Sequence, residues 1–349
     1  MYDVYFIDSS EFDIWDDYVN QHPNATPYHL TSWNISIHNA YKHDVHYLIA
    51  KNSNKVSGIL PMCHIKRPLV SDVVCASPYC DLGGVLHDNR DVRTALINKA
   101  IEFSHELGEV KLVLRERNIE HTAAHDVSGL ANKKVSMILS LPETSNVLFS
   151  SFKSKLRSQI KKAEKNGLIF KFGNQDHHLS AFYTIFTHNM KQLGSPTHSY
   201  EWFKQIRNNY TDNFSIGLIY YNDLAVGTGI LIRQNNSCFI PWASTITAYN
   251  RLAPNMLLYW NMLKLACDYQ CDLFDFGRST YGEGTYKFKK QWGAEPVPLI
   301  WSQYDTQGRK TIENLKHGSL RKLSERVWRV LPLFAVNRIG PHIRKYISL

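Results

Sequence analysis

The run from Tyr2 to Ile7, apolar and aromatic but for Asp3, predicts a strand, and Ser9 or Ser10 then caps a helix reaching about Asn20. A turn at His22-Pro23 leads to a second helix over Thr31–Tyr41. Strands follow at Val45–Ala50, through Gly58 to Ile65 and around Val73–Ala76, with a turn at Asn52-Ser53-Asn54. Asp91 opens a helix to about Leu107, and Val110–Leu114 is the next strand. Two more helices fit the pattern between 180 and 210, then strands at Phe214–Tyr221, Ala225–Arg233 and Cys238–Ala243. Pro254 stands in the first turn of a helix reaching about Tyr269, as proline can, and Leu273–Phe276 is the strand after it.

The second series repeats the order of the first. Pro27, His29, Trp33 and Gly58 reappear as Pro196, His198, Trp202 and Gly227, all at an offset of 169. Arg115, at the end of its strand, matches Arg278 at an offset of 163. The period is too long for a solenoid and describes two copies of one α/β unit, with a linker near Leu141–Ser145.

Two stretches depart from the repeat. In the first, Gly277 stops the apolar run Leu273–Phe276 and leaves Arg278 at a strand's end; Gly282 and Gly284 mark a loop, and Thr285 caps a short helix. Phe288 and Trp292 share one face of that helix, Lys287, Lys289 and Lys290 crowd it with charge, and Gly293 ends it. Pro296 and Pro298 then bracket a strand expected at a sheet edge. The second stretch is a helix over 148–166. Leu148, Phe152, Leu156, Ile160 and Ala163 form its apolar side, and Lys153, Arg157, Lys161 and Lys165 recur every four residues beside it. Like charges at that spacing repel and cost helix stability. Either the face is simply solvated, or an anionic ligand sits on it.

Composition narrows the choice of class. With 349 residues and 44% apolar content the chain can fill two domains. Of the net charge of +9, residues 316–349 carry +7, so the body is nearly neutral and not built to wrap duplex nucleic acid. The six cysteines lie in apolar contexts without a CxxC pair, and read as reduced core thiols; no metal site is expected. The first residues lack a basic region followed by an apolar one, and no apolar run approaches the ~20 residues of a bilayer-spanning helix, so a cytoplasmic protein is expected. P-loop, GxGxxG, HExxH and GxSxG motifs are all missing from the sequence.

Leu-Arg-Ser-Gln-Ile-Lys-Lys-Ala-Glu-Lys-Asn-Gly at 156–167, Asp-Phe-Gly-Arg at 275–278, and Gly-Thr-Tyr-Lys-Phe-Lys-Lys-Gln-Trp-Gly at 284–293 together resemble the FemAB family. The resemblance covers about residues 2–305. It implies an α/β (α+β) protein of two tandem GNAT-like domains with mixed sheets, a non-catalytic, acceptor-side copy at 1–145 and a catalytic copy at 146–305; the charge and apolar spacing of the remainder add a basic helical tail at 306–349. It also implies transfer of an acyl or aminoacyl group from aminoacyl-tRNA or acyl-CoA to an amine, with no tightly bound cofactor.

Within the family's Phe-Lys pair, Phe288 and Lys289 match, and the lysine is expected to stabilise charge on the attacked carbonyl, with Arg278 and Tyr286 as further catalytic candidates. Arg157 matches an arginine expected to hold an acceptor phosphate, joined by Lys155 and Lys161; Trp242, Arg251 and Asn255 complete the candidate substrate-binding set.

Three departures qualify the match. No lysine occurs in Asn34–Asn39, where murein-building members carry one after the matching tryptophan; no long helical hairpin is inserted in the second copy; and Tyr249–Asn255 lacks the glycines that cradle a CoA pyrophosphate. The first two favour an exopolysaccharide amino sugar or lipid-linked glycan beside a peptidoglycan precursor as acceptor; the third leaves acetyl-CoA without specific support as donor, although Arg251 could still meet a phosphate. A GNAT-type acetyltransferase acting on a small amine and a non-catalytic RNA- or glycan-binding protein are the alternatives. Finally, Leu320, Leu323, Val327, Val330 and Leu331 alternate with Arg321, Lys322, Arg326 and Arg329, so the segment up to Pro332 reads as a basic amphipathic helix able to meet an anionic membrane or to pack on the second domain.

Overall fold

A computed structural model describes residues 2–68, 70–108, 110–118, 130–131, 133–312 and 319–348. The chain divides into two compact units: unit 1 is Met1–Asn118, Leu299–Lys316 and Lys345–Leu349, and unit 2 is Ile119–Pro298 and His317–Arg344. The break between Asn118 and Ile119 precedes the linker expected near 141–145.

Unit 1 opens with β1 (Asp3–Ile7), α1 (Phe12–Gln21), α2 (Thr31–Tyr41), β2 (Asp44–Asn52), β3 (Lys55–Ile65), β4 (Val73–Ala76), β5 (Leu86–His87), α3 (Arg90–Glu106) and β6 (Lys111–Arg117). β1 to β4 form an antiparallel meander, and β4 then pairs parallel with β6 through the α3 crossover. Gly58 of β3 lets α3 pack close: a Cβ there would lie 2.5 Å from Val92 Cγ1.

Unit 2 begins with β7 (Lys134–Ser140), α4 (Ser145–Ser151), α5 (Ser154–Lys165), β8 (Ile169–Gly173), α6 (Asp176–Leu193), α7 (Tyr200–Tyr210), β9 (Phe214–Tyr221) and β10 (Leu224–Gln234). It continues with β11 (Ser237–Thr245), α8 (Pro254–Asp268), β12 (Leu273–Thr280) and α9 (Gly284–Lys290). β8 to β11 repeat the antiparallel meander, β11 pairs parallel with β12 through the α8 crossover, and β12 pairs antiparallel with β7. β13 (Glu295–Tyr304) pairs through Glu295–Pro298 with β7 in unit 2 and through Leu299–Tyr304 with β6 in unit 1. β14 (Lys310–Ile312) extends unit 1, while α10 (Ser319–Val330) and α11 (Leu333–Arg344) pack against α6 in unit 2.

The repeated residues are core. Trp33 and Trp202 are fully buried, His29 and His198 nearly so, and the Trp33 indole donates to Pro78 O at 3.0 Å.

Two local expectations change. The helix over 148–166 is two helices: Phe152 turns to an extended backbone, and Arg157 Nη1 donates to Ser150 O (3.0 Å) and Phe152 O (2.6 Å), closing the end of α4 with a cation. The apolar side nonetheless packs as one, with Leu148, Phe152, Leu156, Ile160 and Ala163 all in the core of unit 2. α9 begins at Gly284 after Glu283, so Thr285 lies inside the helix and does not cap it. The helix expected up to Pro332 is present as α10, and α11 follows it; Trp328 and Val336 are buried, while Val327 and Val330 are exposed. Lys316 and the side chains of Leu320, Arg321, Lys322 and Leu323 lie outside the described residues. No helix of the described residues is long and apolar enough to cross a membrane.

Candidate active site

In unit 2 the parallel strands β11 and β12 are hydrogen-bonded partners only at Ser237–Phe239 and Leu273–Asp275. Past those residues each strand carries an irregularity. On β11 the register against β10 shifts between Ile230 and Ile232, so that an extra residue is accommodated around Ile240 and Pro241, where proline offers no N–H to a ladder. On β12 the register against β7 shifts between Asp275 and Arg278, and Gly277 takes φ +74°, a conformation glycine adopts without Cβ strain. The strands part at these two bulges. Ile240 O lies 3.7 Å from where a Cβ on Gly277 would stand.

Gly277 therefore does not end the strand, as its sequence context suggests; β12 bends there and runs on to Thr280, with Arg278 just past the bend. Two charged side chains brace the bulge. The buried Asp275 carboxylate accepts from Ser136 Oγ (2.9 and 3.1 Å), and its Oδ1 also accepts from Gly277 N (2.7 Å). On the carbonyl side, Lys289 Nζ donates to Gly277 O (3.0 Å) and Arg278 O (2.8 Å). Lys289 is only 8% exposed, contrary to the solvated lysine that a short charged helix implies. Asp275 is thereby occupied as a backbone brace.

α9 is anchored by its aromatics. Phe288 meets Tyr259 of α8 edge-on with centroids 5.1 Å apart, Tyr259 stacks on Phe276 at 5.6 Å, and Trp292 meets Phe152 at 5.6 Å. Tyr286 lies against Tyr281 at 4.6 Å; burial, with the hydrogen bond that its hydroxyl donates to Tyr281 adding to it, pushes its phenol up to about 12.

β11 leads from the parting strands toward α8. Trp242, half-buried, packs edge-on against Phe203 at 5.1 Å. A 3-10 turn at Thr247–Leu252 carries the exposed Arg251, and Ala253 follows with φ +64°, immediately before Pro254 and the half-buried Asn255 at the start of α8. The left-handed residue that a glycine would ordinarily supply is present, carried by alanine. Asn166 Nδ2 ties this turn to the end of α5 through Leu252 O at 3.2 Å.

The fold thus gathers Arg278, Lys289 and Phe288 at the β12 bulge, with Tyr286 on the same helix, and sets Trp242, Arg251 and Asn255 along β11 and its exit. Lys155, Arg157 and Lys161 lie on α5, where Arg157 Nη1 is engaged with the α4 carbonyls and both lysines are exposed. Sequence reasoning missed Ser136, Tyr259 and Ala253. Only Pro241, a proline within an apolar strand, and the Asp-Phe-Gly context of Gly277 signalled the bulges in advance. Among the described residues no cluster of His, Cys, Asp or Glu can hold a metal ion.

Unit 1 has the parallel pair without the β12-type bulge, for β6 runs in unbroken register along Leu299–Tyr304 of β13. Arg115, expected at a strand's end, lies within β6, which runs on to Arg117; it is 1% exposed and donates through Nη1 to Ser348 O (2.7 Å) and through Nη2 to Ser348 Oγ (2.9 Å). The tail segment is held further by Tyr79 N to Ser348 O (2.8 Å) and Tyr79 OH to Lys345 O (2.6 Å).

Residues 150–290 match the family profile described as "Acetyltransferase (GNAT) domain". No curated protein sequence matches the chain. Among solved structures it is similar to FemX, at 15% identity and TM-score 0.66 over 93% of this chain and 100% of that one. A tandem GNAT protein from the clavulanic acid biosynthesis pathway aligns at 9% identity and TM-score 0.55, covering 88% and 99%. L-PGS from Bacillus licheniformis aligns at 10% identity and TM-score 0.53, covering 92% and 96%. At these identities the likeness is one of fold. The chain has the tandem GNAT fold, and in that fold it resembles FemX of the FemAB family.

Proposed function

We propose that the protein is an N-acyltransferase that moves an acyl or aminoacyl group onto an amine of a cell-envelope acceptor: an exopolysaccharide amino sugar, a lipid-linked glycan or a peptidoglycan precursor. One observation carries the reading. A buried ammonium, Lys289, grips the carbonyls of the bulge where β11 and β12 part, inside the segment that matches the GNAT profile.

The acceptor nitrogen attacks the acyl carbonyl carbon, a C–N bond forms, and the bond from that carbon to sulfur (acyl-CoA) or to ester oxygen (aminoacyl-tRNA) breaks. The proton lost by nitrogen goes to the leaving atom, directly or through water. Negative charge gathers on the carbonyl oxygen, and a fixed cation in a partly dry site stabilises it more than one in water does. Lys289 takes this role, and Phe288 and Tyr259 fix the helix that presents it. Arg278 and Tyr286 flank the reacting groups, and Trp242 lines the approach along β11. Arg251 and Asn255, around the left-handed turn at Ala253, meet the donor's phosphates at the start of α8. Lys155 and Lys161, with Arg157, face an anionic part of the acceptor.

A second reading, acetyl transfer from acyl-CoA to a small amine, is favoured by the acetyltransferase description of residues 150–290 together with the positive φ of Ala253, which offsets the missing glycines. In both readings the donor is a substrate and not a resident cofactor.

Incubating the protein with labelled acyl-CoA or labelled aminoacyl-tRNA, against glucosamine-bearing glycans and lipid-linked precursors, tests both. Label should pass to an amine acceptor, and Lys289→Met should lower the rate by about 10- to 1,000-fold, as loss of one charge-stabilising donor does. Because Gly277 O and Arg278 O lose their donor, the same variant should lose about 1–3 kcal/mol of stability. Lys289→Arg, which keeps the charge, separates the two effects. A folded Lys289→Met protein with wild-type turnover would end the assignment, and a protein inert toward every amine with both donors would return it to a binding role.

A further inference from the structure

Away from the parting strands, unit 2 holds a cavity of ≈ 540 Å³ between the end of β7, the α4–α5 corner and the end of α9, within the range of about 300–1,000 Å³ usual for ligand sites. Leu141, Leu148, Phe152, Leu156 and Trp292 make its walls apolar. Its charged lining is of one sign: Lys153, Lys155 and Lys290, with no acidic side chain among the lining residues. Lys290 is already paired with Glu295 at 2.6 Å, so Lys153 and Lys155 provide the uncompensated charge.

Two independent features mark the cavity as more than a packing fault. Trp292 is 1% exposed, and its Nε1 is buried without a hydrogen-bond acceptor among the described residues; Gln159 Oε1, also of the lining, is buried without a donor. An orphaned buried donor costs about 1–3 kcal/mol unless something satisfies it. In addition, α5 begins at this wall with no side-chain cap from Lys153, leaving first-turn N–H groups without that partner at an end that favours anions.

Apolar walls alone would suit any hydrocarbon, and lysines alone any anion. Their combination, with a buried N–H seeking an oxygen acceptor, selects a molecule that has both parts. We propose that this cavity binds a single-chain anionic lipid, its hydrocarbon against Leu141, Leu148 and Leu156 and its oxygen-rich head accepting from the Trp292 N–H and held by Lys153, Lys155 and the start of α5. The site lies away from the bulge at Gly277 and shares Lys155 with the acceptor-facing surface proposed above; the apolar walls and the buried Trp292 N–H, on which the inference rests, take no part in the acyl-transfer reading.

Isothermal titration of the full chain with dodecyl phosphate, below its micelle concentration, tests the site. One molecule should bind per chain, the double variant Lys153→Gln/Lys155→Gln should weaken binding by tenfold or more, and Val147→Trp, at a lining position that is 56% exposed, should weaken it by obstructing the cavity. These substitutions are at exposed positions, and unchanged thermal melting would verify that the fold is kept. Dodecyltrimethylammonium and inorganic phosphate serve as the tail-only and head-only probes. Equal binding by either probe, or unchanged binding in the double variant, would overturn the proposal.

Discussion

His29 and His198 occupy the same place in the two repeats, two residues after a proline and four before a tryptophan, and both are buried. His29 Nδ1 accepts from Thr26 N at 3.0 Å, and burial holds its pKa down to about 3. Burial, with the Arg344 charge adding to it, depresses His198 well below the ordinary range. A histidine depressed in the folded state binds its proton preferentially in the unfolded chain. Its stabilising contribution is therefore complete above the unfolded value near 6.5 and is lost as pH falls toward the folded value. Urea unfolding of wild type and His29→Gln should show a stability gap that is widest above pH 7 and narrows by about 1.4 kcal/mol per pH unit below 6.5. A gap constant from pH 7.5 to 5 would mean that His29 takes up its proton as readily in the folded protein as in the unfolded chain. The same scale explains what could and could not be read at Lys289. Its place in a Phe-Lys pair was legible, but its burial was not, because the carbonyls it satisfies are made available by a bulge that forms only when β12 pairs with β7.

At the scale of elements, periodicity located the helices and most strands, and erred where a long-range partner decides the outcome. Gly277 read as a stop because glycine with positive φ serves strand ends and bulges alike; the choice is made by β7, more than 130 residues earlier. The apolar side of 148–166 read as one helix because its 3.6-residue spacing survives the corner at Phe152, which Arg157 stabilises from the following turn. A paired substitution isolates the bulge. Gly277 and Gly282 have similar φ, +74° and +82°, and neither has a heavy atom within 3.4 Å of an added Cβ. Gly277→Ala and Gly282→Ala should each cost about 1–2 kcal/mol for the left-handed backbone. Only Gly277→Ala should also lower turnover, since it displaces the carbonyls held by Lys289. Equal kinetic effects of the two, measured as kcat at matched stability, would detach the bulge from the chemistry.

Over the whole chain the repeat was the firmest thing in the sequence, and the structure keeps its register: α2 and α7, and β3 and β10, begin and end 169 residues apart. The tail was the least determined, because an amphipathic pattern does not state which partner covers it. In the structure Trp328 and Val336 are buried, yet Val330 is 81% and Phe334 76% exposed, with Arg326, Arg329 and Arg338 also exposed around them in sequence. Packing on unit 2 thus uses one side of α10 and α11 and leaves large apolar groups among cations on the other. That is the pattern of a surface that meets an anionic bilayer, where each cation contributes about 1 kcal/mol within a Debye length. The protein should sediment with phosphatidylglycerol-containing vesicles at low ionic strength, release as salt screens the attraction, and ignore phosphatidylcholine vesicles. Val330→Glu/Phe334→Glu, at positions too exposed to carry the fold, should abolish sedimentation while leaving the melting temperature in place. If the double variant sediments as wild type does, the exposed pair plays no part in membrane contact; if neither protein sediments, the tail serves unit 2 alone and an acceptor held in a membrane must be reached by another surface.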